Sequence, residues 1–104
     1  MLAITRLDQL RHDTLILVVR NPGKAVLLAH VDGAPWYRGG ATYISVLLVS
    51  AARSFGLQQT WPSGAYAAPL ATLFSPAYTV YSLSSEEFTT AARMAKEAGR
   101  PSKP

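Results

Sequence analysis

Apolar residues along the chain fall into a few runs separated by clusters of turn-forming residues. The longest run lies between Thr42 and Gly56, where Ile44, Leu47, Leu48, Ala51, Ala52 and Phe55 recur at i, i+3, i+4, i+7, i+8 and i+11. That spacing is one continuous face of an α-helix. Tyr43, Val46 and Val49 line the opposite side. The pattern therefore predicts a central helix that is apolar nearly all round and buried, either between layers of its own domain or against a partner. Gly56 stands where a left-handed C′ residue closes such a helix, with Leu57 as the apolar contact that follows it.

Before this run the texture is that of strands. LILVV at 15–19 and AVLLAHV at 25–31 flank Arg20-Asn21-Pro22-Gly23-Lys24. Proline at the second and glycine at the third position of a four-residue turn fit type II, so the segment reads as a β-hairpin. Both strands are too uniformly apolar to keep one face in water, which calls for cover on both sides. Residues 2–12 space Ile4, Leu7 and Leu10 for a short first helix, with a strand at 2–6 as the competing reading. Asp32-Gly33-Ala34-Pro35 breaks the second strand, and Gly39-Gly40 turns the chain into the central run.

After Gly56 the chain carries no charge from Ser54 through Ser85, 32 residues that include Trp61, Tyr66, Phe74, Tyr78 and Tyr81. Prolines at 62, 69 and 76 forbid a long helix, although Pro69 can start a short one over Leu70–Phe74. A disordered linker is polar and charged, so this segment is expected to pack down. Tyr78–Leu83 is rich in β-formers and predicts a third strand. The last helix is signalled most fully: Ser84 and Glu87 form a capping box, and Leu83 and Phe88 a hydrophobic staple. Its apolar side is Phe88, Ala91, Ala92, Ala95 and Ala98, and Gly99 ends it.

These elements give an α+β fold: a small, mainly antiparallel sheet of the hairpin plus the third strand, packed with the buried central helix and the C-terminal helix. Residues 1–99 form one domain, and 100–104 a flexible tail.

Composition narrows the functional classes. The chain of 104 residues is 49% apolar and only 15% charged, against about 25% charged in an average domain. Such a chain is expected to fold with apolar surface left over. A net charge of +4 suits a polyanionic partner without demanding one. There is no cysteine, hence no disulfide framework and no thiolate chemistry. Arg6 and Asp8 stand where a secretory signal has its apolar core, and no run approaches the 18 or so residues of a membrane span. The expectation is a soluble cytoplasmic protein with no membrane partner and no cofactor.

Chemistry-bearing residues are few. His30 and Asp32, two apart at a strand end, share a face and with His12 and Asp13 could gather nitrogen and oxygen ligands for a metal or an acid–base pair. Ordinary turn roles explain the same residues, and no serine lies in a nucleophile-elbow sequence. The sequence assigns no catalytic residue and no metal ligand. Gly33, Gly39 and Gly40 beside Arg38 could cradle an anion, but both standard nucleotide-loop spacings are missing. A nucleic-acid surface could draw on Arg20, Lys24, Trp36, Tyr37, Arg38, Arg93, Lys96 and Arg100, cations for phosphates and aromatics for bases. The stronger expectation is a non-enzymatic interaction module. It buries an apolar, aromatic surface (Tyr43, Val46, Val49, Trp61, Tyr66 and Phe74) on a protein partner or on a second copy as a homodimer. A nucleic-acid-binding accessory protein is the alternative, and a small enzyme or metal-binding protein using His30 and Asp32 the third reading.

Overall fold

The computed structural model describes residues 1–51, 58–59 and 65–98. The described residues form eight strands, β1 (Leu2–Ile4), β2 (Leu15–Arg20), β3 (Lys24–Val31), β4 (Trp36–Arg38), β5 (Ala41–Ala51), β6 (Gln58–Gln59), β7 (Tyr66–Pro69) and β8 (Tyr78–Leu83). Among them a 3₁₀ turn covers Leu7–Gln9, and the helices α1 (Leu70–Leu73) and α2 (Ser85–Ala98) follow. All strands join one antiparallel sheet in the order β1-β8-β2-β3-β5-β7-β6, with β4 paired to β5. The broad α+β, mainly antiparallel expectation stands.

The central helix does not. Ala41–Ala51 is the longest strand of the sheet, while Gly56, its expected cap, lies outside the described residues. Ile44 and Val46 are fully buried and Leu48 packs on the same core; Leu47 and Val49 lie on the other side and are exposed. That is the period of a strand. When both faces are apolar, helical and strand periods are satisfied together, and β-branching has to decide. Thr42, Ile44, Val46 and Val49 are β-branched and Tyr43 aromatic, which suits a pleated surface better than a helix. Gly39 and Gly40, at φ 60° and 84°, form the two-residue turn between β4 and β5. Positive φ at both positions is the type I′ hairpin, so these glycines serve the turn rather than an anion cradle.

The N-terminal segment is a strand and a 3₁₀ turn rather than a first helix. The β2–β3 hairpin and β8 fall where the sequence places them. The hairpin turn is not type II, since Gly23 lacks the positive φ that type demands at its third position. Asn21 ties this turn down: its N–H donates to the Ala77 carbonyl at 2.8 Å and its Nδ2 to that of Pro76 at 3.0 Å.

The core lies on one face of the sheet, where Ile4, Ile16, Val18, Ala29, Val31, Ile44, Val46, Ala68 and Val80 meet Leu10 from below the 3₁₀ turn and Leu70 and Leu73 of α1. α1 touches β5, β7 and β8 although β2 and β3 lie between β5 and β8. The sheet therefore curls around it. α2 packs on β2, β5 and β8, on the side of Leu17 and Leu28, which supplies the second-face cover that the apolar hairpin requires. Its start is held by the expected capping box: Ser84 N–H donates to Glu87 Oε1 at 2.8 Å and Glu87 N–H to Ser84 Oγ at 3.2 Å. The expected helix stop at Gly99 and the tail 100–104 lie outside the described residues.

Candidate functional site

Two features of the fold bear on function, and both lie away from the main core. The first is the outer face of β5. Tyr43, Ser45 and Leu47 point to this side by strand alternation, and Val49 follows at the register shift opposite Leu28 and Ala29. Trp36, opposite Tyr43 in the β4–β5 pair, stacks on it with ring centroids 4.8 Å apart. Its Nε1–H donates to Ser45 Oγ at 2.8 Å. Beyond this stack Leu47 is 38% and Val49 46% exposed, and Met94 on the flank of α2 is 63% exposed. No charged residue occurs from Ala41 to Ala51. α2 covers only part of this face because its inward side chains are largely alanines.

Of the six expected interface residues, Tyr43 and Val49 belong to this open face. Val46 does not: it is fully buried on the core side, because the strand alternates where a helix would have turned it outward. Tyr66 and Phe74 are half-buried against the core, so they are packing residues before they are contact residues. Trp61 lies outside the described residues. Helical spacing assigns Leu47 to the buried side, and the strand turns it to the open face instead.

The second feature is a polar cluster beside the start of β2. Asp13 has a positive φ of 70°, and its N–H donates to the Val31 carbonyl at 2.9 Å. This turn sets the Asp13 Oδ1 atom 3.3 Å from His12 Nε2 and 3.1 Å from His30 Nε2. His12 Nδ1 accepts the Gly33 N–H at 2.8 Å. Three of the four residues named for this chemistry thus converge. Asp32 does not join them; its backbone N–H donates to the Ser45 carbonyl at 2.8 Å. His30 faces Asp13 instead.

The arrangement lacks the marks of a metal centre. A histidine that ligates through Nε2 donates its Nδ1–H to a neighbour, whereas here Nδ1 of His12 accepts a backbone N–H. Among the described residues no group of three histidines, aspartates or glutamates has the geometry to hold a metal ion. The hydroxyl beside the cluster, Thr14 Oγ1, accepts the Arg11 N–H at 3.2 Å as part of the same turn.

The expected nucleic-acid residues are spread over both ends of the sheet. Arg20 and Lys24 are exposed cross-strand partners at the β2–β3 turn. Arg38 sits at the opposite end, next to Ala41, ten residues along β5 from the Ala51 that pairs with Leu27, roughly 30 Å at the rise of a strand. Tyr37 is exposed, but the Trp36 ring is already stacked. Arg93 and Lys96 are exposed on α2, and Arg100 lies outside the described residues. Among the described residues no helix is long and apolar enough to cross a membrane. Set against known protein families, curated proteins and solved structures, the chain matches none.

Proposed function

We propose that the chain is a small non-enzymatic interaction module that pairs with a second copy of itself through the outer face of β5. The observation that carries this reading is the exposure of Leu47 and Val49 on a strand face with no charge along its length. Interface cores are depleted in charge and enriched in aromatic and large apolar residues, the composition of Trp36, Tyr43, Leu47 and Val49. Self-pairing is favoured over an acidic partner because the face offers such a partner no cation. β5 itself carries no charge to repel its copy across a twofold axis, which matters for a chain of net charge +4. Sedimentation over a rising concentration series tests it. A dimer is expected, with Val49→Asp giving a monomer whose melting temperature matches that of the wild type diluted to monomer. A wild-type monomer at the highest concentration removes the reading.

A second reading, a basic accessory protein for nucleic acid, has one observation in its favour. Arg20 and Lys24 stand directly opposite each other, with no acid in ion-pair reach among the described residues. Like charges so placed repel, and a phosphate between them would offset that cost. Oligonucleotide anisotropy that falls steeply with salt, and falls further in Arg20→Ala, would support it; flat traces at low salt would retire it.

A further inference from the structure

The His12 ring carries more information than a surface histidine ordinarily does. A backbone N–H can only donate, so the Gly33 N–H at 2.8 Å requires a lone pair on His12 Nδ1. The single ring proton then sits on Nε2, the nitrogen 3.3 Å from Asp13 Oδ1. In this geometry His12 is neutral and its tautomer is fixed. A second proton has one place to go, Nδ1, and there it would meet the Gly33 N–H head-on. We infer that His12 is a proton-operated latch: neutral, it holds the 32–35 loop against the turn that precedes β2, and protonated, it lets the loop go.

The surroundings favour such a device. The His12 side chain is 59% exposed, so protons reach it freely. Asp13 on its own turn supports the imidazolium, and His30 on β3 competes for the same carboxylate. Asp8 and Arg11 line the same hollow as His12, with Arg11 Nε committed to the Asp8 carbonyl at 3.3 Å. Asp32, next to Gly33, is the remaining charge on the loop side. Proton uptake by His30 costs no hydrogen bond, since among the described residues its Nδ1 has no partner. Uptake by His12 costs the Gly33 bond, which is what makes His12 the moving part.

The loop so held runs directly into β4. Trp36 itself stays tied to β5 by its stack on Tyr43 and its bond to Ser45, so the part set free is the Gly33 end of the loop. The latch itself does not depend on what the outer face of β5 binds.

Nuclear magnetic resonance of the full chain tests it in two readings. The first is the nitrogen shifts of the His12 ring at neutral pH, which report the tautomer directly; Nδ1 unprotonated is expected, and an Nδ1–H tautomer overturns the inference. The second follows the Gly33 amide from about pH 7.5 to about 5. Its hydrogen exchange, corrected for the intrinsic pH dependence, should speed by roughly tenfold as the His12 ring titrates. His12→Asn keeps an acceptor near the Nδ1 position but cannot take a proton, so Gly33 should stay protected throughout. His30→Gln keeps a donor toward Asp13 and should leave the Gly33 response in place. Protection that persists in the wild type through the His12 titration, or a response that survives in His12→Asn, overturns the latch.

Discussion

The two faces of β5 are built from the same kinds of residue and meet opposite fates. Ile44 and Val46 on one face are completely buried, while Leu47 and Val49 on the other are 38% and 46% exposed. Hydrophobicity does not distinguish them; their cover does. The inner face is enclosed by the curl of the sheet and by α1, whose Leu70 and Leu73 fill it. Among the described residues the outer face receives only α2, which brings Ala91 and Ala95 toward β5 and leaves Met94 63% exposed at the rim. Apolar sequence thus reports a demand for burial without saying whether the same chain satisfies it.

The sharpest way to test that distinction is to truncate each face in turn. Ile44→Ala removes three carbons from a site with no solvent contact and should cost about 2–5 kcal/mol of stability, the range for large-to-small changes in a closed core. Leu47→Ala on the other face should move the monomer by no more than about 0.5–1 kcal/mol. Urea unfolding at low protein concentration, where association does not contribute, separates the two. Equal losses would mean that the outer face is closed by the chain itself, and the proposed self-pairing would lose its surface.

The same strand shows where a sequence stops being legible. α2 could be read because its signals are local: a serine, a glutamate three residues on, and an apolar pair around them fix the start of a helix wherever the chain goes next. The β2–β3 hairpin and β8 were legible for a similar reason, as β-rich runs bounded by turn residues. β5 was not, because its apolar residues satisfy two periods at once, and only the β-branched residues and the Gly-Gly turn before it favoured a strand. The polar cluster was half legible. His12, Asp13 and His30 could be named, but their meeting depends on the positive φ of Asp13 and on β3 lying beside the turn. Neither is written in residue spacing, and the pairing of His30 with Asp13 rather than Asp32 follows from them.

The mildest test concerns how firmly α2 is held over the outer face. Glu87 in its first turn accepts from the Met1 terminal ammonium at 2.7 Å, joining the segment before β1 to the helix. That ammonium first, and then the Ser84 N–H, holds the Glu87 carboxyl below its ordinary value. A carboxylate whose pKa is lower in the folded than in the unfolded chain adds stability above the unfolded value, about 4.3 for glutamate, and loses it as pH falls through the folded one. Glu87→Gln should therefore melt slightly below the wild type at neutral pH. The gap should narrow on acidification until the two curves meet. The effect is small because the Glu87 side chain is 40% exposed and water screens the pair. Melting temperatures of both proteins from about pH 7 to about 3 decide it. A gap that stays constant with pH would assign the loss to the capping geometry at Ser84 alone. A gap that closes would show that charge at the helix start helps keep α2 seated beside the open half of the sheet.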